Sequence, residues 1–245
     1  YDSRKDIRLA ATGSASPIIE DASTDSGTGR WTVIKIPTLS FYEYCQLLQL
    51  DDMPLLPDHL KITDIPKMEN AEVADLMARF EPLVEHFSRY LTIGGFPELA
   101  LSDDDLYAQR MLREDVVDKV IKRDVLTLFK VRSPLLMEKL FLYLCMNSTE
   151  IFSATTAAKE LDNISPNTIE SYVDALVKSN LIYMAYPIAV GSKSVLKGRP
   201  KIYIADAAIR NAVLMVDDVL SDERELGLLI ETTVYKHLVS FYQGT

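Results

Sequence analysis

Three stretches of this 245-residue chain carry side chains that could do chemistry. Lys193, Lys197, Arg199 and Lys201 are four cations with no acid among them, a pattern that could contact nucleic-acid phosphates and could equally face a protein partner. Just before them, Asn167, Thr168 and Ser171 offer hydrogen-bonding groups of the kind that read base edges. Glu170 and Asp174 interrupt that face with charge that repels phosphate, and Lys178 follows. Near the start, the apolar run Ile7 to Ala11 empties into Thr12-Gly13-Ser14-Ala15-Ser16. A strand ending in small hydroxylated residues can set hydroxyls beside a bound phosphate; the plainer alternative is an ordinary strand-to-helix connection.

Other arrangements fail on spacing. A phosphate loop needs glycines ahead of Lys-Ser or Lys-Thr so that backbone N–H groups cradle the phosphates. Lys193-Ser194 has Pro187 and Ser192 where glycines are required. Gly27-Thr28-Gly29 precedes a strand, whereas the dinucleotide motif follows one. Three histidines and no nucleophile elbow leave no serine triad to assemble. His86 beside Glu85 lacks a second histidine or cysteine at zinc spacing and reads as a surface residue. Cys45 and Cys145 sit in apolar stretches far apart and read as core thiols in a reducing compartment. Acid pairs such as Asp217-Asp218 have no partner for general acid–base work. No catalytic site is complete in this chain.

The elements that would position these residues centre on 133–206. Ser133-Pro134 and Ser165-Pro166 each pair an N-cap with a first-turn proline. Leu136, Met137, Leu140, Phe141 and Leu144 give the first helix its stripe, and Ile169, Tyr172, Val173, Leu176 and Val177 the third. Between them, Ala154 to Leu161 forms a short second helix stopped by Asp162-Asn163, and Asn180 ends the third. Two β-prone runs, Leu181 to Val190 and Lys201 to Ala205, then flank a polar turn. Helix, helix, turn, helix and hairpin is the order of a winged helix-turn-helix.

Elsewhere, Trp31 to Ile36 reads as a strand, and Ser40-Phe41-Tyr42-Glu43 as a capping box opening a helix to about Leu50. Asp51 to Pro66 is an irregular, proline-rich connection. Ala71 to Phe80 and Pro82 to Leu91 are amphipathic helices. Gly94-Gly95 ends the second, and Phe96-Pro97 forces an extended step. Ser102 should cap a long helix reaching about Phe129. A short helix is expected over Ala207 to Leu214, and a final one over Gly227 to Phe241. The final helix has Leu229, Ile230, Thr233, Val234, Leu238 and Phe241 as its inner face.

Hydrophobic residues make up 48% and charged residues 25% of the chain, which suits a core-forming protein. The net charge of −10 excludes a general nucleic-acid coat, so any such contact must be local. No apolar run is long enough for a membrane span and no signal peptide is present, so a cytoplasmic location is expected. The chain opens on Tyr1 and stops soon after an apolar helix, and it reads as a piece of a larger protein.

Several stretches, taken in order, resemble one family: bacterial and archaeal AAA-type ATPases carrying a C-terminal winged-helix domain of unknown function, of the DUF4143-like kind. The matching stretches are Thr12-Gly13-Ser14, Gly29-Arg30, Leu39-Ser40-Phe41-Tyr42-Glu43, Gly94-Gly95-Phe96-Pro97 and Arg123-Asp124-Val125. Further along come Ser165 to Val173, Pro200-Lys201-Ile202-Tyr203-Ile204-Ala205-Asp206, and Gly227 with Glu231. The resemblance implies a parent that binds ATP and Mg and hydrolyses ATP. It gives Thr12 the place that senses the γ-phosphate, and gives Arg30 the place of a cation stabilising developing phosphate charge. The phosphate loop, its lysine and the Mg-binding acid would lie before Tyr1, so this chain alone is expected neither to hydrolyse ATP nor to bind it well. From Glu231 the chain resembles the opening of a restriction-endonuclease-like fold without its remaining acid and lysine.

The expected fold is mostly α (α+β). Residues 1–50 are the remnant of an α/β P-loop domain, 51–132 a helical linker, 133–206 the winged helix and 207–245 the start of a further domain. The partners expected are the P-loop half of the same protein and, through the winged helix, DNA or protein, with no membrane. The alternatives are a stand-alone winged-helix DNA-binding regulator and a protein-interaction module.

Overall fold

The computed structural model describes residues 34–243, apart from 51–52, 56, 58–59, 127–128, 130, 189–197 and 217–219. Thr12, Arg30, Lys193 and Lys197 therefore lie outside the described residues, as do the side chains of Arg123 and Asp124. The fold is mostly helical, with one two-stranded sheet among the described residues.

Ser40 opens α1 (Phe41–Leu47) with the reciprocal bonds of a capping box: its hydroxyl accepts from the Glu43 amide, and Glu43 accepts from the Ser40 amide. A 3₁₀ turn (Ile62–Lys67) leads to α2 (Asn70–Phe80), and a second one (Glu81–Leu83) joins α2 to α3 (Val84–Ile93). Gly94 ends α3 at φ 76°. Phe96 is extended, but Pro97 does not prolong that step. It occupies the first turn of α4 (Pro97–Ala100), where its missing N–H costs nothing. The next helix is capped by Asp104 rather than Ser102, because Asp104 accepts from the Tyr107 amide while the Ser102 hydroxyl bonds the Asp104 backbone. That helix, α5 (Asp105–Arg113), continues as a π-helical stretch (Glu114–Val125).

The expected trio of helices and hairpin is present: α6 (Pro134–Met146), α7 (Ala154–Glu160), α8 (Pro166–Lys178), β1 (Ile182–Ala185) and β2 (Lys201–Ile204). The strands pair antiparallel with Ile182 opposite Ile204 and Ala185 opposite Lys201. Ile151 bridges to Lys201 on the far edge of β2. Asp162, Asn163 and Asn180 all stand at positive φ, the conformation these residue types tolerate at helix ends. Then come α9 (Ala207–Leu214) and α10 (Glu223–Gln243).

One hydrophobic core runs from Tyr44 in α1 through Ile93, Ile121, Met137 and Ile202 to Ile209 in α9. It crosses the divisions expected at 132/133 and 206/207 without interruption. At its centre is α9, which packs on α3, α5, α6, α10 and β2 and buries even Arg210 and Asn211. Arg210 donates to Cys145 O at 3.0 Å and Glu225 at 2.6 Å, and Asn211 donates to Leu91 O at 3.0 Å. Both cysteines are free and buried, and burial pushes the Cys145 thiol well up. Ile34 and Ile36, expected in a strand, are 79% and 86% exposed and outside any described sheet.

The two serine caps differ. Ser133 accepts from the Leu136 amide, whereas Ser165 makes no side-chain capping bond. Ser133→Ala should therefore cost about 1 kcal/mol of stability in urea unfolding, and Ser165→Ala clearly less.

Candidate functional site: a buried lysine–aspartate lock

Lys236 and Asp206 form an ion pair of 2.7 Å in which both side chains are 2% exposed. Lys236 comes from the middle of α10. Asp206 is the N-cap of α9, its Oδ1 accepting from the Ala208 amide. Isolated charges at such depth would cost several kcal/mol each. Here every donor of the ammonium is used: Nζ donates to Asp206 Oδ2, to the Tyr90 hydroxyl at 2.9 Å and to Leu39 O at 2.9 Å. The Tyr90 hydroxyl in turn donates to Leu39 O at 2.6 Å. Asp206 Oδ2 also accepts from Thr38 Oγ1 at 2.7 Å and from the Gly95 amide at 3.2 Å. Burial alone would raise the Asp206 carboxyl, but Lys236, Thr38 and the Ala208 amide hold it below its ordinary 3.8. Its contribution is thus present above that value and lost as pH falls through the lower, folded one. Burial pushes the Tyr90 phenol far up, so it stays a donor.

The backbone is shaped to admit this cluster. A Cβ on Gly94 would collide with Asp206 Oδ1 and stand 2.8 Å from the Ala208 Cβ, at a φ that already favours glycine. A Cβ on Gly95 would collide with Leu39 O and stand 2.8 Å from Lys236 Nζ. The Leu39 amide donates to Gly95 O at 2.7 Å, so two backbones run in direct contact.

A second, half-exposed clamp joins the same elements. Glu231 of α10 accepts from Lys201 at 2.6 Å and from the Tyr203 hydroxyl at 2.8 Å, and Tyr235 stacks on Tyr203 with centroids 4.0 Å apart. On α3, Arg89 donates to Tyr44, Asp105 and the Ala100 carbonyl, each at 3.0 Å, and to Ser102 O, tying α1 to the start of α5.

The sequence candidates fall elsewhere. Asn167 and Ser171 are exposed and Thr168 half-buried on α8, with Glu170 and Asp174 exposed beside them. Asp174 pairs with Lys178 at 2.9 Å. Arg199 is exposed, while Lys201 is already matched by Glu231. A groove of about 720 Å³ lies between α8, the hairpin base and α10, lined by residues including Glu170, Asp174, Arg199, Tyr183, Tyr186 and Tyr235. Its charge is mixed rather than cationic. Among the described residues no three acids, histidines or cysteines cluster to hold a metal ion, and no helix is long and apolar enough to cross a membrane.

Lys236 and His237 escaped the sequence reading. Asp206 and Leu39 are visible in the sequence only as motif letters, and the two glycines as a helix end. The final helix is also turned from expectation: it buries Leu229, Thr232, Thr233 and Lys236, and leaves Ile230, Val234, Leu238 and Phe241 exposed. The available signal was a polar stripe at helical spacing, Thr232, Thr233, Lys236 and Ser240, on a helix otherwise rich in apolar residues.

With its amine saturated and both charges buried, the cluster binds elements together rather than offering a nucleophile or base. Lys236→Met should lower stability by about 3–5 kcal/mol by stranding the Asp206 charge, and the double variant D206N/K236M should regain part of it. Urea unfolding of both variants checks this. Gly95→Ala should destabilise by forcing Leu39 away from Gly95, read as lost amide protection at Leu39.

A model of the family described as "Domain of unknown function (DUF8612)" matches residues 84–220. An uncharacterized protein of Haemophilus influenzae is 23% identical over 206 residues, 82% of this chain and 44% of its own length. Uncharacterized protein MJ1544 of Methanocaldococcus jannaschii is 23% identical over 238 residues, 95% of this chain and 47% of its own. Uncharacterized protein MJ1637 of the same organism is 31% identical over 162 residues, 65% of this chain and 33% of its own. The chain thus spans about half, or less, of the length of the curated relatives it matches. No solved structure matches. The family match begins at the first residue of α3, passes beyond α9, takes in Tyr90, Gly95 and Asp206, and covers more than half of the sequence. The chain therefore belongs to the family described as Domain of unknown function (DUF8612).

Proposed function

We propose that this chain is the C-terminal, non-hydrolysing part of a cytoplasmic AAA-type ATP-binding protein, and that it couples the nucleotide domain to a partner-binding winged helix. The observation that carries this reading is the lock. Thr38 and Leu39, within the residues 1–50 that the resemblance assigns to the nucleotide domain, are bonded to Asp206 and Lys236. Asp206 follows directly on the hairpin strand β2, so a displacement of the Thr38 segment is felt at the base of the wing and in α10. The motifs also find a common use. Leu39, Gly94-Gly95 and Asp206 meet in the lock, and Lys201, Tyr203 and Glu231 form the neighbouring clamp. The bare Ile34 and Ile36 suit a strand that belongs to a sheet.

In this reading ATP and Mg are held by the other half of the protein, with Thr12 sensing phosphate and Arg30 stabilising its charge. The test uses the full-length gene product. It should bind ATP with Mg and hydrolyse it, and Arg30→Ala should slow turnover by roughly 10²-fold or more. A full-length product that binds no ATP overturns the reading, and unchanged turnover in R30A removes the role of Arg30.

For the winged helix, protein is the partner class the surface favours. Glu170 and Asp174 lie on the exposed face of α8, and Lys178 and Lys201 are engaged by acids. Duplex DNA should therefore bind no more tightly than about 10⁻⁴ M at physiological salt. Tighter, salt-dependent binding that is lost on Lys197→Ala and Arg199→Ala would favour the DNA-binding regulator instead.

A further inference from the structure

His237, next to Lys236 on α10, holds the start of α1 by an acceptor that a proton can remove. Its Nδ1 lies 2.7 Å from Thr233 O, one helical turn back. A carbonyl can only accept, so Nδ1 carries the hydrogen. In the neutral ring, Nε2 is then a bare lone pair, and it accepts from the Phe41 amide at 2.8 Å. Phe41 is the first residue of α1, and its N–H is one of the amides a helix cannot satisfy internally. Ser40 and Glu43 cap each other's amides and leave this one to the imidazole.

We propose that His237 is a proton-sensitive fastener: protonation at Nε2 turns its acceptor into a donor facing the Phe41 N–H and releases the first turn of α1. The inference does not depend on the nucleotide reading. The charged and titratable groups facing the ring are Lys236 on its own helix, Asp206 at the start of α9, Glu43 on α1 and the Tyr90 phenol of α3, whose ring centroid is 6.0 Å away. Lys236 and Asp206 neutralise each other, and Glu43 is committed to Ser40. None of these groups is bonded to Nε2, and the positive end of α1 points at it.

Burial, then Lys236, depresses the His237 titration below its ordinary 6.5, against the Thr233 carbonyl, Asp206 and Glu43. The sign follows. Below 6.5 the unfolded or released state takes up the proton first, so docking of α1 is at full strength above that value and weakens as pH falls toward the lower, docked value. The lock at Thr38 and Leu39 uses no histidine and should stay closed over this range.

The experiment measures amide protection of Phe41 and Leu39 by NMR between about pH 7.5 and pH 5, with the His237 ring-proton shift followed in the same samples. In the wild type, Phe41 should lose about tenfold in protection as His237 titrates below 6.5, and Leu39 should not. In His237→Gln, whose amide oxygen accepts without titrating, Phe41 protection should not vary with pH. Titration of His237 at or above 6.5, protection of Phe41 that is flat in the wild type, or the same loss in H237Q would each overturn the proposal. Should H237Q fail to fold, the wild-type titration and protection curves decide alone.

Discussion

Two opposite charges withdrawn from water must satisfy each other and every remaining hydrogen-bonding site, or the interior that holds them is weaker than one made of hydrocarbon. Asp206 and Lys236 meet that requirement by recruiting a hydroxyl from α3, a hydroxyl and a carbonyl from the segment before α1, and two backbone amides. The rest of the structure is arranged around the demand. After α3, Gly94 is bare so that Asp206 can approach and Gly95 so that Leu39 can, and α10 turns its polar stripe inward so that Lys236 can reach. The N-cap of α9 serves twice, as helix cap and as counter-ion.

This arrangement gives the small β-hairpin an influence beyond its size. Four residues, Ile202 to Ala205, separate Lys201 of the clamp from Asp206 of the lock, and both grip α10. The strand and the helix are thus pinned at two points with stacked Tyr203 and Tyr235 between them. The exposed apolar stripe of α10 is the reverse side of the same fact. Since the charged residue takes the inner position, Ile230, Val234, Leu238 and Phe241 are turned outward.

Features governed by neighbours in sequence were legible. The Ser133 cap with Pro134 behind it, the Ser40–Glu43 box, the apolar stripes of α6 and α8 and the turn residues Asp162, Asn163 and Asn180 all answer to local rules. The order of helices and hairpin followed from them. What escaped was set by partners far away in the chain. Lys236 taken singly reads as a solvated lysine on an amphipathic helix, and its burial rotates the inner face of α10, keeping Leu229 and Thr233 inside while turning Ile230, Val234, Leu238 and Phe241 out. Gly95 looks like a helix terminator, but its real constraint is the backbone of Leu39. Likewise Lys201 reads as a free basic residue until Glu231, thirty positions on, is beside it. The candidate phosphate-contacting residues were chosen by charge alone, and charge alone does not reveal which are already engaged.

The separations within the lock have a consequence for how the chain is made. Leu39 waits for Lys236, 197 positions later, and Phe41 for His237, 196 positions later. At about 5–20 residues per second a ribosome needs roughly 10–40 s to cover that distance. During that interval the first helix has no fastening to α10, and Phe41, Phe87 and Tyr90 form an aromatic cluster with one wall missing. The fastening of α1 thus waits for the arrival of α10. A nascent chain halted before it would offer chaperones or proteases a detached α1 while the elements between are already folded.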